Sequence, residues 1–360
     1  MSNLLAKDLD CILEQTEPLW AELRDGRILI TGATGFFGCW FLESFAWVNK
    51  RLGLSAQAVA VARHPELLEN KAQHLLRDDS IQLHRQDICQ EQFPVGPFTH
   101  AIHAATPASA ALNEDSPLSM FDITVHGTSR TLDFAVRNGV SKFLFTSSGA
   151  VYGPQPAGVS HVDEECRGGP DPLNRKSAYA EGKRAAEMLC SLYASPAFEP
   201  KMARCFAFVG PYMKLDAHFA IGNFIHDRIS DSAVRVKGDG TTVRSYLYAS
   251  DLMVWLWTIL FRGTPCRAYN VGSEDAVSIR ELANEVASLQ PEVEVEISAT
   301  GAAQGPIDRY VPSTTRARRE LGLRETVSRQ EAIRRTCEWA IAMKQHAYPS
   351  PAEMREACCR

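Results

Sequence analysis

Short apolar runs alternate with longer stretches of helical periodicity along most of the chain. Six runs have the length of buried strands: Arg27 to Thr31, Ala58 to Ala62, Ile81 to Leu83, Ala101 to His103, Phe143 to Thr146 and Met202 to Val209. Between the runs, apolar residues recur every three or four positions, which is typical of helices with one buried face. Strands that alternate with such helices predict an α/β fold, in which a doubly wound parallel sheet is covered by helices on both faces.

The first strand leads into a glycine-rich turn. The turn reads Gly32-Ala33-Thr34-Gly35-Phe36-Phe37-Gly38, and an apolar helical pattern follows it. This order of strand, turn and helix sets helix N-terminal amides against a pyrophosphate. Gly32 permits the tight turn, Gly35 lets the backbone approach the phosphates, and Gly38 lets helix and strand pack closely. We therefore predict a dinucleotide site formed by Gly32, Thr34, Gly35, Phe36, Phe37 and Gly38.

Three residues in the middle of the chain suggest proton transfer at an alcohol. Tyr179 and Lys183 are four positions apart and share one face of a helix, so the ammonium can favour ionisation of the phenol. Ser148 lies upstream in the run Thr146 to Gly153 and could hydrogen-bond the same substrate oxygen. We predict Ser148, Tyr179 and Lys183 as the catalytic set, with the Tyr179 phenolate as general base.

Composition narrows the class of protein. A chain of 360 residues with 45% hydrophobic content can bury a large core, and its net charge of -5 gives no general attraction to nucleic acid or anionic membrane. The ten cysteines lack paired metal-ligand spacing, and no histidine or carboxylate cluster suggests a metal. No stretch approaches the roughly 18 apolar residues of a membrane span, and the start lacks the pattern of a signal peptide. We expect a cytoplasmic enzyme without a metal.

Several further segments join these motifs in a recognisable order. Those that carry the resemblance are Thr31 to Gly38, Asp87-Ile88, His103-Ala104-Ala105, Gly127-Thr128, Ser147 to Gly153, Tyr179 to Lys183, Gly210-Pro211, Gly238-Asp239-Gly240 with Arg244, and Tyr269-Asn270-Val271-Gly272. From about Arg27 to Trp339 the chain resembles an extended short-chain dehydrogenase/reductase of the nucleotide-sugar epimerase and dehydratase group. The resemblance implies a Rossmann fold, a nicotinamide cofactor and a nucleoside diphosphate sugar as substrate.

The predicted domain organisation combines this resemblance with the hydrophobic pattern. Leu4, Leu5, Leu9, Ile12 and Leu13 recur at helical spacing and predict an amphipathic helix that packs on the protein ahead of the first strand. After Pro211 the pattern changes and indicates a smaller α/β substrate lobe. The expected units are a helical extension at 1–26, a dinucleotide-binding domain at 27–211 plus 246–273, a nucleotide-sugar lobe at 212–245 plus 274–345, and a tail at 346–360.

The cofactor contacts are predicted from the resemblance and from the end of the second strand. By resemblance, Asp87 and Ile88 border the adenine, Ala104 and Ala105 line the cofactor, and Tyr179 and Lys183 contact it. His103 fits a structural histidine better than a catalyst. NAD enzymes of this fold place an acidic residue after the second strand, whereas this chain has Arg63 there. Arg63 could clamp a 2′-phosphate, which favours NADP over NAD; as a solvated charge, or stacked on adenine, it would leave NAD as the cofactor.

Substrate contacts are predicted in both halves of the chain. The stretch from Val236 to Tyr248 resembles the family's site for a nucleoside diphosphate, and Arg244 matches the diphosphate clamp. Further candidates for substrate binding are Thr106, Ser148, Gly149, Asn223 and Arg309. Asn223 and Arg309 are each equally well explained as structural residues.

The reaction type depends on departures from the family. Its 4,6-dehydratases place Asp-Glu directly after the catalytic Ser or Thr, and its sugar-acid decarboxylases use Glu at the second of these positions. This chain has Gly149-Ala150 there, so both reactions are disfavoured unless Glu164, Glu165 or Cys205 substitutes. We predict an epimerase that abstracts and returns a hydride through a keto-sugar intermediate. An NADPH-dependent keto-sugar reductase is the alternative, and a non-catalytic dinucleotide sensor ranks last because Ser148, Tyr179 and Lys183 are all present.

Oligomeric state is predicted by analogy alone. In the family, helices that correspond to about 119–138 and to the Tyr179 helix pair with the same helices of a second subunit. Leu132, Phe134, Ala135 and Val136 supply apolar surface on the first of them, although packing within one chain would explain them equally. We expect a homodimer.

Overall fold

The computed structural model describes residues 3–90, 93–107, 109–217, 219–289, 293–298 and 307–347. Its α-helices are α1 (Ala6–Thr16), α2 (Phe36–Leu52), α3 (Ala110–Asp115), α4 (Pro117–Arg137), α5 (Ala178–Tyr193), α6 (Ala220–Arg228), α7 (Ala249–Arg262), α8 (Ile279–Ser288), α9 (Thr315–Leu321) and α10 (Arg329–Ala347). Short 3₁₀ helices span Glu17–Leu23, Pro65–Leu68, Gln73–Arg77, Gly149–Tyr152 and Arg175–Ser177.

Its strands are β1 (Arg27–Thr31), β2 (Gln57–Ala62), β3 (Ile81–Arg85), β4 (His100–His103), β5 (Lys142–Ser148), β6 (Glu199–Cys205), β7 (Phe208–Val209), β8 (Val234–Val236), β9 (Val243–Arg244), β10 (Leu247–Tyr248), β11 (Ala268–Val271), β12 (Val277–Ser278), β13 (Val295–Ile297) and β14 (Arg309–Tyr310).

Seven strands form one parallel sheet in the order β11-β6-β5-β4-β1-β2-β3. From β1 the chain winds outward through β2 and β3, then returns to place β4 on the other side of β1. Such a reversal opens a crevice at the carboxyl ends of the two central strands, where α/β sheets bind their ligands. The predicted doubly wound Rossmann sheet is therefore confirmed, and its switch point lies between β1 and β4.

One predicted strand is wrong in its extent. Met202 to Val209 divides into β6, which stays in the main sheet, and β7, which pairs with β10. The main ladder ends where the Phe206 N–H donates to Val271 O of β11, and the next carbonyl, Ala207 O, accepts from Leu247 of β10, where the second pairing begins. Apolar composition alone could not reveal this change of partner.

The N-terminal extension is integrated into the main core. Leu9 and Ile12 of α1, and Trp20 after it, are fully buried, and α1 packs against α7 and α2. Asp8 accepts hydrogen bonds from Tyr248 (2.7 Å) and Arg335 (2.5 Å), so α1 also reaches α10. The amphipathic helix predicted from the sequence packs on the protein as expected.

A second apolar core lies beyond Pro211. It is built mainly from α6, α8 and α10 together with the paired strands β8 and β13. Beside it, β14 runs parallel to β9, and β9 is antiparallel to β12. We propose that this core belongs to the substrate lobe expected at 212–245 and 274–345; residues 348–360 of the expected tail, with Cys358 and Cys359, lie outside the described part.

Membrane-spanning helices and metal-binding clusters are both absent from the described residues. Within those residues, no helix combines the length and apolarity needed to cross a bilayer. Over the same part of the chain, no group of three or more His, Cys, Asp or Glu side chains is placed to hold a metal ion.

Candidate active site

The glycine turn after β1 is closely packed. Gly32 has φ +74°, and a Cβ built on it would lie 2.3 Å from the carbonyl oxygen of Ala104. A Cβ on Gly38 would lie 2.3 Å from Gly32 O and 2.5 Å from the Ala33 backbone. Both positions thus require glycine, because a side chain would separate β1 from β4 or from α2.

The start of α2 is suited to an anion. Gly35 precedes the helix, and a Cβ there would meet only Gly32 O, at 3.3 Å. The first turn of a helix leaves its N–H groups without internal acceptors, and this one contains no carboxylate. Lys71, which sequence reasoning missed, donates from Nζ to Thr34 O (3.1 Å) and adds a positive charge beside the turn. These residues fit the pyrophosphate of a dinucleotide.

Phe36 and Phe37 form the aromatic side of this turn. They are half-buried at the start of α2, and their ring centroids are 5.8 Å apart. The Phe37 ring also meets Phe208 of β7 edge-on at 5.4 Å. The aromatic pair therefore connects the glycine turn with β7, which precedes the proposed substrate lobe in the chain.

The other predicted cofactor residues follow the carboxyl ends of neighbouring strands. Arg63 comes directly after β2, is exposed, and has no hydrogen bond or ion pair with the described residues. Asp87 follows β3, and its carboxylate accepts from the Cys89 N–H (2.9 Å). Ile88 lies so close to α4 that a Cβ on Gly127 would be 2.4 Å from its Cδ1. Parallel pairing brings these positions to one edge of the sheet.

The segment after β4 closes the same edge. The carbonyl oxygen of Ala104 is the atom that lies close to Gly32, as described above. The Ala104 N–H donates to Thr31 Oγ1 (3.2 Å). Ala105 follows it, and the buried hydroxyl of Thr106 has no hydrogen-bond partner in the described part of the chain. A buried unpartnered hydroxyl is costly unless something binds it. Thr106 therefore remains a candidate for ligand binding.

His103 is a structural residue. Its Nδ1 lies 2.8 Å from Thr31 Oγ1, and its Nε2 lies 3.2 Å from Thr128 Oγ1. Burial and the nearby Lys183 charge lower the pKa of His103 to about 3. The ring is fully enclosed and neutral, so it cannot exchange protons with a substrate.

Tyr179 and Ser148 meet where β5 ends and α5 begins. The Tyr179 N–H donates to Asn113 Oδ1 (2.9 Å), so α3 fixes the first turn of the helix that carries the phenol. Burial raises the pKa of Tyr179 to about 12, against a smaller lowering by the Ser148 hydroxyl that faces it. The Ser148 Oγ accepts from the Ala150 N–H (3.1 Å), which fixes its orientation.

Lys183 lies beneath the Tyr179 ring. Its Nζ donates to Thr146 O (2.7 Å), 4.6 Å from the Phe145 ring centroid and 5.9 Å from the Tyr179 ring centroid. Burial lowers the pKa of Lys183 to about 8. Burial of the phenol dominates the Tyr179 pKa in the structure, and the effect of Lys183 on the phenol with a cofactor bound stays a prediction.

The space beside Ser148 is filled from the other half of the chain. The Tyr310 hydroxyl lies 3.4 Å from Ser148 Oγ, and the Tyr310 ring packs against Phe206 in a tilted arrangement with the ring centroids 4.6 Å apart. A Cβ on Gly149 would lie 2.7 Å from both Tyr310 OH and Phe206 Cζ. Gly149 therefore leaves room for Tyr310 to reach Ser148.

The predicted substrate residues Arg244, Arg309 and Asn223 lie on three different elements. Arg244 of β9 forms an ion pair with Asp308 (2.6 Å), and its guanidinium carbon is 6.0 Å from the centre of the Tyr310 ring. Arg309 and Tyr310 are consecutive in β14, so their side chains point to opposite faces, and Tyr310 has the face towards Ser148. Asn223 is half-buried within α6, where its N–H is bonded to Phe219 O.

The three candidates for a substitute acid are also located. Glu164 and Glu165 both pair with Arg316, and Glu164 in addition accepts from the Asn270 N–H (2.8 Å). Burial raises the pKa of Cys205 to about 12, so its thiol stays protonated at neutral pH. The two carboxylates are thus committed to structural contacts, and the thiol is a poor base.

Comparison with known proteins identifies the family. A family model described as the NAD dependent epimerase/dehydratase family matches residues 28–272. That range includes the glycine turn, Ser148, Tyr179 and Lys183. The chain belongs to this family.

Individual relatives of this family member differ in their reactions. The chain is 30% identical over 313 residues to UDP-glucuronic acid decarboxylase 1 of Arabidopsis thaliana, which covers 86% of this chain and 68% of that protein. UDP-glucose 4-epimerase of Thermotoga maritima has a TM-score of 0.73 at 21% identity, over 88% of this chain and 99% of the other. dTDP-glucose 4,6-dehydratase of Bacillus anthracis has a TM-score of 0.70 at 17% identity, over 88% and 96%. These two structural likenesses establish the fold alone.

This member of the epimerase/dehydratase family has site residues that sequence motifs did not indicate. Tyr310 lies beyond the matched range, and Asn113 and Lys71 lie within it but outside the motifs that carry the resemblance. Tyr310 is adjacent in sequence to the predicted Arg309, and strand alternation could have suggested either residue. For Lys71 and Asn113 the sequence gives no signal, because each contact depends on how a loop or a short helix folds over the sheet edge.

Proposed function

We propose that this family member is an NAD(P)-dependent nucleotide-sugar epimerase, which oxidises one carbinol of the sugar and reduces the resulting ketone from its other face. The supporting observation is the meeting of Tyr179 and Ser148 at the sheet edge that also carries the glycine turn. Both hydroxyls can then reach the same substrate oxygen.

The chain's residues have separate parts in this proposal. A bound oxidised nicotinamide would supply a hydride acceptor. Tyr179 takes the proton from the sugar hydroxyl during oxidation and gives it back during reduction, while Ser148 hydrogen-bonds the same oxygen. Lys183 contributes a buried positive charge beneath the phenol, which favours its ionised form when a proton must be removed. The glycine turn with Lys71 would hold the pyrophosphate.

Arg244 and Tyr310 support a nucleotide-linked substrate. They are paired on adjacent strands of the same small sheet, and the Tyr310 hydroxyl lies 3.4 Å from Ser148 Oγ. A guanidinium fork on one side and a proton-transfer set on the other suit a ligand with a diphosphate and a sugar. The named relatives act on UDP-linked and dTDP-linked sugars, which supports this substrate class.

Decarboxylation of a nucleotide-linked sugar acid is the second candidate. It is favoured by the relative with 30% identity, which is a UDP-glucuronic acid decarboxylase. Against it stands Ala150, which cannot move a proton where the decarboxylases carry Glu. Both candidates begin with oxidation of a carbinol, in which Tyr179 would take the hydroxyl proton and a bound oxidised nicotinamide would accept the hydride. They therefore differ only in the fate of the keto-sugar intermediate.

Cofactor preference and assembly are further parts of the proposal. The exposed, unpaired Arg63 at the end of β2 supports NADP over NAD. Leu118 and Val136 on α4, and Met188 and Leu192 on α5, are exposed apolar side chains on two helices that pack together. This surface supports a homodimer through α4 and α5. Analytical ultracentrifugation would measure the mass of the assembly.

Mass spectrometry of products tests the proposal directly. The protein is denatured to identify any retained dinucleotide, and fresh protein is incubated with UDP-, dTDP-, GDP- and CDP-sugars, including sugar acids. A sugar product of unchanged mass with inverted configuration at one carbon supports the epimerase. Loss of carbon dioxide establishes the decarboxylase instead, and loss of water a dehydratase. Stoichiometric consumption of NADPH with a keto sugar would establish the reductase, and tight binding without turnover the sensor.

A further inference from the structure

A third polar residue shares the catalytic face of α5. Tyr179, Lys183 and Glu187 are spaced by four residues each, so they lie one above another along the helix. The Glu187 side chain is only 12% exposed although it carries a carboxylate. A buried carboxylate needs donors, and their arrangement shows what holds it.

Donors from two neighbouring strands fix the position of Glu187. Ser147 of β5 donates to its Oε1 (2.5 Å), and Arg204 of β6 donates from Nε to Oε1 (3.0 Å) and from Nη2 to Oε2 (2.7 Å). Arg204 is held in turn by Tyr152, whose hydroxyl accepts from Nη1 (2.9 Å) and donates to Asn270 (2.7 Å). The carboxylate is therefore anchored to the sheet one helical turn beyond Lys183.

The groups around Lys183 leave Glu187 as its counter-charge. From β4, His103 is neutral, and from β6, the Cys205 thiol stays protonated at neutral pH. On α5 itself, burial also raises the pKa of Cys190, and Tyr179 keeps its proton. Among the described groups that act electrostatically on the ammonium, Glu187, one helical turn further along α5, is thus the anion, and its charge opposes the effect of burial on Lys183. Arg204 binds the far side of the carboxylate and offsets part of its charge.

We propose that Glu187 is a positioning residue that keeps the buried Lys183 ammonium charged and anchors the helix face that carries Tyr179. The inference rests on the proposed function only in taking Tyr179 and Lys183 as the proton-transfer pair. Ser147, the residue before the catalytic serine, shares the same carboxylate, so one anion ties the end of β5 to α5.

The test is a titration of Lys183 in the full chain by NMR with ¹³Cε-labelled lysine, assigned by the signal that Lys183→Met removes. Glu187→Gln should lower the Lys183 midpoint by about one pH unit, a tenfold change in its ionisation constant. Glu187→Asp should largely retain the midpoint. Glu181→Gln is the matched control, because it removes a carboxylate from the same helix that pairs with Arg184 (3.5 Å) instead. An unchanged midpoint in Glu187→Gln overturns the proposal.

A second arm separates charge from folding. If Glu187→Gln does not fold because Arg204 is left unpaired, the double variant Glu187→Gln/Arg204→Met removes both charges. A lowered Lys183 midpoint in the double variant supports the proposal; a midpoint equal to that of the unmodified protein refutes it. The titration needs no substrate, so a chain that converts no nucleotide sugar yet shows the shift disproves the proposed function and leaves the role of Glu187 standing.

Discussion

Replacing Gly149 by alanine tests whether Phe206 and Tyr310 fill the space beside Ser148. The new Cβ would lie 2.7 Å from Phe206 Cζ and from Tyr310 OH, where ordinary contacts begin at 3.4 Å. Neither atom can yield freely. The Phe206 ring packs against the Tyr310 ring, and its Cβ lies beside Gly272, while the Tyr310 hydroxyl is near Ser148.

The expected cost comes from two opposing effects. Overpacking of this kind destabilises by about 1–3 kcal/mol. Alanine in place of glycine stabilises by about 0.4–1 kcal/mol through the unfolded chain where the backbone conformation allows it, as here, since Gly149 does not have positive φ. We expect a net loss of about 1–2 kcal/mol and a fall in kcat, because Tyr310 must move relative to Ser148.

Urea unfolding measures the loss of stability, and steady-state kinetics measures the fall in kcat. Gly169→Ala is the matched control: its φ is also ordinary, and its Cβ would meet only the end of the Arg184 side chain, at 3.3 Å. Tyr310→Phe removes the hydroxyl from one of the two contacts. The double variant Gly149→Ala/Tyr310→Phe should therefore recover at least about 0.5 kcal/mol relative to the sum of the single changes. Strict additivity, or a Gly149→Ala protein as stable as the control, would refute the packing that we describe.

Three further changes test the cofactor, the chemistry and the pH dependence. Tyr179→Phe should lower turnover by about 10²–10⁴-fold while UDP binding, followed by calorimetry, stays within error; retained turnover would remove Tyr179 from the mechanism. Arg63→Ala should raise the Kd for NADP much more than that for NAD, and an equal effect would contradict the 2′-phosphate contact. Burial, with Asp251 and Asp275 adding to it, raises the pKa of Glu325 to about 7. The folded state thus binds this proton more tightly than the unfolded state does. The protonated carboxyl contributes stability below about pH 4.5, and this stability is lost as pH rises to about 7. Glu325→Gln should flatten that slope and, since the site is half-buried and partly screened, stabilise the protein at pH 8 by about 1 kcal/mol; an unchanged slope of unfolding free energy against pH would contradict it.

The parts of the fold that the sequence predicted are local. Gly32 and Gly38 act within a few residues of a strand and a helix whose periodicity is plain, so the turn and the parallel sheet could be derived before any contact was known. The strand that ends at Cys205 could not be separated from β7, because the separation depends on Val271 and Leu247, which lie more than forty residues away in the chain. A short window of apolar residues carries no information about which distant strand each residue pairs with.

The same distinction applies to the site. Tyr179 and Lys183 are linked by helix spacing, and that link was predicted correctly as a shared face. The raised pKa of Tyr179 in the isolated chain follows from the depth of burial, which cannot be read from spacing, and its lowering in the presence of a cofactor stays a prediction. Tyr310 reaches Ser148 only through the pairing of β14 with β9. Its role could not be separated from that of Arg309 without the strand register.

The register also bears on the choice between reactions. The 4,6-dehydratases of this family need an acid at position 149, and here the space for any side chain at that position is occupied by Phe206 and Tyr310. A change of Gly149 to Asp would therefore have to expel residues from β14 and from the segment after β6. The site excludes that acid by packing as well as by sequence. Ala150 carries no such restriction that the structure reveals. The relative with 30% identity favours decarboxylation, and the missing Glu opposes it, so the product masses must decide.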